Sequence, residues 1–380
     1  MSRGTGKHLF VLSLLIATIL LTVTIAGTAE ASNPRNYVGA VYTMTNAASG
    51  NAVIMFHRTA RGLLVPVGAF STEGLGSGDG LGNQGALALS AGNRWLFVVN
   101  PGSNDVSVFR VGPGGLTLVD REPSGGDRPI SVTVDRDLLY VLNAGGAVGG
   151  SDTITALLVG PDGTLSPLAR STRSLSSVNT NPAQISFSLN GRFLAVTEKD
   201  TNTIDIWRVE RDGLTSNFFA NSSVGDTPFG FAFGKRNVII ISEAAGGVAD
   251  ASSLSSYLLE DDGTLQVVSS AVPTTETAAC WVVITNDGRF AYTTNAGSGT
   301  VSGYRIAFDG TITLLDADGV TGNTGNGDID MALSNDSRYL FTLNSGDDTI
   351  SAFRVHADGS LSPLPGASEI PEGANGLAAR

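Results

Sequence analysis

The stretch RYLFTLNSGDDTISAFRVHADGSLSPL, residues 338–364, decides how the rest of the chain is interpreted. It begins with a short apolar run that ends in Asn344, and turn-forming residues 345–348 follow. Residues 349–355 then alternate β-forming with polar side chains, and Asp358-Gly359 breaks the chain before another apolar segment. This pattern predicts a hairpin followed by a turn and a third strand.

The same unit recurs along the whole sequence. We take the residue that ends the second strand of each copy as a marker, and consecutive markers are 54, 43, 55, 45, 52 and 49 residues apart. The seven markers are Asn46, Asn100, Asn143, Glu198, Glu243, Asn295 and Asn344. A period of about fifty residues with four short strands per unit is typical of β-propellers. The sequence therefore predicts an all-β fold, a seven-bladed β-propeller with four-stranded antiparallel blades.

Six copies have a further apolar segment before the second strand, and we interpret it as the innermost strand. These segments are residues 85–90, 130–134, 184–189, 229–233, 280–284 and 329–334. The first copy lacks one, but residues 371–380, PEGANGLAAR, align with it. We therefore expect residues 374–380 to complete the first blade, so that the C-terminal strand closes the ring and protects exposed strand edges.

The N-terminus is a stretch of a different kind. Two basic residues precede an apolar segment over residues 9–25, and Ala29-Glu30-Ala31 matches a cleavage site. We predict a secretory signal peptide at residues 1–31, a propeller at residues 32–380, and a secreted or extracytoplasmic protein of the periplasm or cell surface. The alternative is an uncleaved anchor, because the apolar run is nearly long enough to span a bilayer.

The amino-acid composition supports these expectations and restricts the kinds of binding partner. Hydrophobic residues make up 42% of the chain and charged ones only 15%, with 48 glycines, a balance typical of turn-rich β proteins. The net charge of −12 disfavours nucleic acid as a partner. The single cysteine, Cys280, excludes an internal disulfide and is expected to be a small buried side chain. We expect a monomer.

Polar residues at two kinds of junction are the candidate site residues. In a propeller the start of the inner strand and the end of the second strand lie on one face, near the central channel, so polar groups there are expected to converge on its mouth. The residues at these junctions are Asp127, Arg128, Gln184, Glu198, Lys199, Glu243, Asp328 and Asp330. The alternative is that they cap strand ends in a polar funnel. Glu198 and Glu243 stand where other copies have a turn-forming Asn, which makes them the stronger functional candidates.

Other chemistries find little support in the sequence. His57 and His356 are expected away from the channel, so general acid/base work by histidine at the mouth is not predicted. Asp79 with Glu73, and Asp328 with Asp330, offer oxygen ligands for Ca²⁺, but neither pair has the spacing of a known loop site. We predict no metal and no other cofactor.

The repeats at residues 295–314 and 344–361 resemble those of the seven-bladed lactonase family. This family includes 6-phosphogluconolactonase-like and carboxymuconate-cyclase-like proteins, and related surface-layer propellers share a Tyr-Val-Thr-Asn pattern similar to residues 292–295. The resemblance implies a propeller with lactonase chemistry at an inner-strand entrance of the form G-P-R-H and a second strand ending in N-E. Here residues 181–184, NPAQ, place Gln184 at the His position. Glu198 and Lys199 replace the Asn and the Glu.

Three functions are compatible with the sequence. The first is a secreted lactonase-like propeller that binds a small polar or carbohydrate-like ligand at the channel mouth, with degenerate or absent lactonase activity, because the replaced residues remove the family's acid/base groups. The second is an active lactonase in which Arg128, Glu198 and Glu243 are catalytic. Asp127, Gln184, Lys199, Asp328 and Asp330 would then bind the ligand. The third is a platform that binds a cell-surface partner.

Overall fold

The computed structural model describes Met1 and residues 37–380. The predicted signal peptide at residues 1–31 and the first residues of the predicted propeller domain lie outside this range. From Tyr37 onward the chain folds into seven antiparallel sheets, each built from consecutive segments of the sequence except at the seam of the ring. The predicted seven-bladed β-propeller is confirmed.

The strands are named in chain order. Blade 1 contains β1 (Tyr37–Met44), β2 (Ala52–Thr59) and β3 (Leu64–Ser71). Blade 2 contains β4 (Leu87–Leu89), β5 (Trp95–Asn100), β6 (Asp105–Gly112) and β7 (Gly115–Pro123). Blade 3 contains β8 (Pro129–Asp135), β9 (Leu138–Ala144), β10 (Asp152–Val159) and an outer strand in two pieces, β11 (Leu165–Pro167) and β12 (Arg173–Ser174). Blade 4 contains β13 (Pro182–Phe187), β14 (Phe193–Glu198), β15 (Thr203–Val209) and β16 (Thr215–Ser222).

The remaining blades repeat this order. Blade 5 contains β17 (Pro228–Phe233), β18 (Val238–Glu243), β19 (Ser253–Leu259) and β20 (Leu265–Pro273). Blade 6 contains β21 (Ala279–Ile284), β22 (Phe290–Asn295), β23 (Thr300–Ile306), β24 (Ile312–Leu314) and β25 (Gly322–Asn323). Blade 7 contains β26 (Asp328–Leu333), β27 (Tyr339–Asn344), β28 (Thr349–Val355) and β29 (Leu361–Ala367), and β30 (Asn375–Ala379) follows.

The second strands form the cores of the blades. Every residue of β5, β9, β14, β18, β22 and β27 is buried, because each of these strands has a sheet partner on both sides and a neighbouring blade on both faces. Burial on both faces explains why their sequences are continuous apolar runs and not an alternation. Two markers deviate, since Asn46 lies two residues beyond the end of β1 at Met44 and Asn143 is followed by one more residue of β9, Ala144.

The chain closes into a ring through its last strand. In the sheet of blade 1 the order is β3-β2-β1-β30, and β30 is antiparallel to β1 with Val41 opposite Ala379. The backbones of Ala40 and Arg380 exchange two hydrogen bonds, of 3.2 and 2.9 Å. Leu377 joins a hydrophobic cluster with Val41 of blade 1 and Phe341 of blade 7. The predicted closure by the C-terminal strand is confirmed.

Helical structure is minor. Within residues 37–380 it consists of short 3-10 turns at Gly145–Val148, Lys235–Asn237 and Ala245–Gly247. None of the helices in this range is long and apolar enough to cross a membrane.

A chain that ends at residue 370 is expected to lose most of its stability. The truncation opens the edge of β1 and removes the buried strand that joins blades 7 and 1, which we expect to cost about 5 kcal/mol or more, the order of a typical domain's whole free energy of unfolding. Urea unfolding followed by circular dichroism measures this loss. Glu372→Gln, which leaves β30 intact, is the control, and equal midpoints for the two proteins would contradict the role of the seam.

Candidate functional site

Most inner strands begin with an irregular backbone conformation that reorients the side chains that follow it. The residues just before β8, β13, β17 and β21 have left-handed backbone, with φ of 53° at Arg128, 49° at Asn181, 61° at Thr227 and 57° at Ala278. Each of these strands, and β26 as well, has a register shift within its first residues. Such β-bulges redirect the side chains that follow them, here toward the neighbouring blade.

Two predicted ligand-binding residues bridge neighbouring inner strands. Gln184 Oε1 accepts a hydrogen bond from the backbone N–H of Phe231 in the next blade, at 2.7 Å. Asp330 Oδ2 accepts from the backbone N–H of Leu377, at 3.0 Å, and its Oδ1 accepts from Met331. Burial raises the pKa of Asp330 to about 8. Both side chains therefore hold blades together around the channel.

Glu198 bonds the connector that leads into its own blade. Its carboxylate accepts hydrogen bonds from the backbone N–H of Ser176, at 2.9 Å, and from the hydroxyls of Ser176 and Thr201. The side chain is completely buried. Its hydrogen-bond partners come from blade 4 and from the connector before it, so the structure does not bring this carboxylate to the channel mouth.

Glu243 occupies the equivalent position in blade 5. Its carboxylate accepts from the backbone N–H of Gly225, at 2.9 Å, and from the hydroxyl of Ser253 on the third strand. The Asn markers bond in a similar way, because Asn295 and Asn344 each donate to two hydroxyls on the third strand of their blades. The two Glu markers thus make the same kind of intrablade and connector contacts as the Asn markers.

Blade 4 also contains a buried carboxyl pair that was not among the sites predicted from the sequence. Asp205 on β15 lies against Glu198, and neither of its oxygens receives a hydrogen bond from a donor group. Burial, and then the hydrogen bond to Glu198 and the charge of Glu198, raise the pKa of Asp205 to about 9. The raised pKa favours the protonated form of Asp205 in the native state. Asp205 stands where Ser302 and Ser351 lie in blades 6 and 7.

The glycine-rich segment before β4 crosses the channel mouth. We name residues 73–85 the mouth loop. Gln84 accepts at Oε1 from the backbone N–H of Val282, at 3.1 Å, and donates from Nε2 to its carbonyl, at 3.0 Å. The backbone N–H of Gln84 donates to Ala183, at 3.0 Å, and Trp281 Nε1 donates to the carbonyl of Asn83, at 2.6 Å. The mouth loop, which begins blade 2, is thus bonded to blades 4 and 6.

Arg128 and Lys199 hold the mouth loop from the side of blades 3 and 4. Arg128 donates from a guanidinium nitrogen to the carbonyl of Gly80, at 3.3 Å, and Lys199 Nζ donates to the carbonyl of Gly82. Nζ also lies 4.6 Å from the ring centroid of Phe229. Burial, with a smaller contribution from the charge of Arg128, lowers the pKa of Lys199 to about 8. Neither cation forms a salt bridge with a described residue.

A cavity of about 510 Å³ opens between the mouth loop and the seam of the ring. It is lined by Gly78, Gly80, Leu81, Gly82, Trp281, Ile329, Ser345, Glu372, Gly373, Ala374 and Asn375. The mouth loop, blade 6, blade 7 and the C-terminal segment each contribute to this wall. Clefts with apolar and aromatic walls and a few polar groups are the usual form of small-molecule sites.

The remaining predicted residues do not line this cavity. Asp127 is exposed and accepts a hydrogen bond from Asn104, at 3.1 Å. Asp328 is buried beside the lining residue Ile329, and its Oδ2 accepts from Thr324, at 2.6 Å. Burial raises the pKa of Asp328 to about 7. Among the described residues there is no group of three or more His, Cys, Asp or Glu side chains that could hold a metal ion.

The eight predicted residues therefore divide by what they contact. Arg128 and Lys199 meet at the mouth loop, whereas the others bridge blades, bond connectors or are exposed. Asn83, Gln84 and Trp281 were not among the site residues predicted from the sequence. The signal that could have found them is the adjacent pair of amide side chains at the end of a glycine-rich segment, which has no role in a simple flexible loop.

Comparison with known proteins finds this architecture in many solved structures. The periplasmic gluconolactonase of Pseudomonas aeruginosa is 17% identical, covers 90% of this chain and 98% of its own, and has a TM-score of 0.72. A candidate 6-phosphogluconolactonase from Bacteroides fragilis is 17% identical over 90% and 98% of the two chains, with a TM-score of 0.70. A second candidate 6-phosphogluconolactonase, from Bacteroides uniformis, is 16% identical over 91% and 100%, with a TM-score of 0.72.

The fold is that of the 6-phosphogluconolactonase-like propellers. No family model and no curated protein sequence matches the chain. The structural likeness therefore establishes the shared seven-bladed propeller and not an activity, because one fold supports many functions.

Asp205→Asn is expected to stabilise the protein in alkaline solution. Because the native pKa of Asp205 is raised, the native state keeps a proton that the unfolded state loses between about pH 4 and pH 9, so this group makes stability fall as pH rises through that window. Asn has no proton to lose in this window and can donate to Glu198. We expect the melting temperature to rise by about 2–5 °C at pH 8 and to change little at pH 4.5, measured by calorimetry.

The matched control is Asp137→Asn, which changes a carboxyl group on an exposed turn. In both variants Asp328 and Asp330 still contribute to the change of the free energy of unfolding with pH. A variant of Asp205 that is less stable at pH 8 than the parent protein would contradict the raised pKa of Asp205.

Lys199→Met is expected to loosen the mouth loop without unfolding the propeller. The substitution keeps the length of the side chain but removes a charged hydrogen bond to Gly82, worth about 1.5–3 kcal/mol, so the open form of the loop should become about tenfold more populated or more. Thermolysin cleavage before Leu81 reports this opening, and Lys235→Met on the surface is the control. Equal cleavage rates in the two variants would show that Lys199 does not hold the loop.

Proposed function

We propose that this protein is a lactonase-like propeller that binds a small polar, carbohydrate-like ligand at its channel mouth and does not hydrolyse it. The binding site is the cavity between the mouth loop and the C-terminal segment. The observation that carries the proposal is the composition of this cavity, which combines the aromatic side chain of Trp281 with a small number of polar groups and the backbone of four glycines.

The glycines of the mouth loop support binding of a ring-shaped ligand. Gly78, Gly80 and Gly82 alternate along the loop, and all three line the cavity. A Cβ atom at Gly80 would meet no other atom within 4 Å, so the space beside it is open. Without side chains on this wall, a ligand can approach the peptide groups of the loop closely.

The burial of the carboxylates supports binding without hydrolysis. General base catalysis needs a carboxylate within hydrogen-bond reach of the attacking water, or one water away. Glu198 and Glu243 are both fully buried and already accept hydrogen bonds from Ser176 and Gly225, and neither lines the cavity. Hydrolysis by these residues would need a rearrangement of the connectors between blades.

Lactone hydrolysis is the second candidate, and the names of the structural neighbours favour it. In that case Arg128 would stabilise the developing oxyanion, and Glu198 or Glu243 would activate water. The predicted signal peptide supports an extracytoplasmic location, and one neighbour is described as periplasmic. We therefore propose that either function is carried out outside the cytoplasm.

Gly80→Val is expected to abolish ligand binding while leaving the fold intact. The new side chain enters the open space beside Gly80, whose backbone φ lies outside the left-handed region, so the substitution narrows the cavity without backbone strain. Isothermal titration with a panel of sugars, sugar acids and their lactones should show at least a tenfold loss of affinity for the ligands that bind the parent protein. Gly92→Val, at an exposed glycine with equally open surroundings, is the control.

The same panel tests hydrolysis by acid release in a pH-stat. We expect no release above the spontaneous rate. Catalysed release that is lost in Glu198→Gln or Glu243→Gln would replace binding by the lactonase function, and the absence of binding by every member of the panel would overturn both.

A further inference from the structure

The charge on the wall of the cavity indicates what kind of ligand it accepts. Of the residues that line it, Glu372 alone carries a formal charge. Glu372 is exposed and forms neither a salt bridge nor a side-chain hydrogen bond with any described residue. A free carboxylate on the wall of a small-molecule site attracts cations and repels anions.

Ser345 offers a hydrogen-bond acceptor on this wall. The hydroxyl of Ser345 donates to the carbonyl of Gly327, at 3.0 Å, so its lone pairs are what remain for a ligand. A ligand rich in N–H or O–H donors complements such a wall, and an ammonium group has three donors and no acceptor.

Trp281 contributes carbon surface and not a donor. Its Nε1 is occupied by the carbonyl of Asn83, at 2.6 Å, so the rest of the indole is what the cavity wall presents. Tryptophan is the aromatic side chain with the strongest attraction for cations. Trp281 therefore favours a cationic ligand, as Glu372 does.

The two cations near the mouth do not reverse this preference. Arg128 and Lys199 direct their charges at the carbonyls of Gly80 and Gly82, and neither side chain lines the cavity. Glu372 is thus the source of formal charge on the cavity wall, and the basic groups nearby are engaged by the mouth loop.

We propose that the ligand of this cavity carries a protonated amine and that Glu372 is the residue that selects it. This inference rests on the proposed function, because it assigns the chemical class of the ligand bound there. It separates the cavity from a site for sugar acids, whose carboxylate would face Glu372. An amino sugar is the simplest ligand that combines a ring for Trp281 with an ammonium group for Glu372.

Three six-carbon ligands test the proposal: glucosamine, which is a cationic ring, glucose, which is a neutral ring, and gluconate, which is an anionic open chain. Titration calorimetry should give an affinity for glucosamine about fivefold or more above that for glucose, the value of one partly exposed ion pair of about 1 kcal/mol, and the difference should shrink at high salt. Gluconate should bind more weakly than glucose.

Glu372→Gln should remove the preference for glucosamine while leaving the binding of glucose unchanged. Glu369→Gln, three residues earlier in the same exposed connector and outside the cavity wall, should keep it. Thermal unfolding confirms that both variants are folded. Tighter binding of glucose or gluconate than of glucosamine, or a preference that survives Glu372→Gln, overturns this inference alone. If none of the three ligands and no other member of the sugar panel binds, the proposed function fails with it.

Discussion

The pairing of β30 with β1 is the constraint on which the rest of the structure depends. Each of the other blades is a sheet formed by one continuous stretch of chain, and neighbouring blades contact each other through side chains. Only at the seam does a single backbone ladder contain both ends of the ring. Without that ladder the outermost blades would expose apolar faces and an unpaired edge, which is the hazard that closed β structures avoid.

Closure also determines the shape of the channel mouth. Gln84 bonds Ala183 in blade 4 and Val282 in blade 6, residues that face each other only because the ring is closed. The mouth loop is therefore held as a bridge across the channel, although its glycines would leave it mobile in isolation. The cavity exists between this bridge and the C-terminal segment that makes the seam. The same strand thus completes the fold and forms part of the candidate site.

Buried charge is handled in different ways at different places in the ring. Lys199 and Arg128 are paired with peptide carbonyls, and the raised pKa of Asp205 favours its neutral form. Burying an unpaired charge is costly, so such groups find a dipole, a proton or a partner. Glu372 is exposed and has no such partner among the described residues. A charge that the fold itself does not use is available for recognition of a ligand.

The number of blades, the order of strands and the closure of the ring could be predicted from the sequence, because they depend on a repeated local pattern of apolar runs and turns. The inner strands were predicted to within a few residues, although β4 is shorter than its predicted segment. The directions of the junction side chains became clear from the tertiary structure. A bulge at the start of five inner strands turns the side chains that follow it toward a neighbouring blade. Glu198, at the end of the second strand of blade 4, bonds a connector and not the channel. Trp281 and Asn83, which are in contact, lie almost two hundred residues apart, and Glu372 is still more distant from Asn83 in the chain. No local sequence pattern predicts a contact of this kind, because it arises from the closure of the ring.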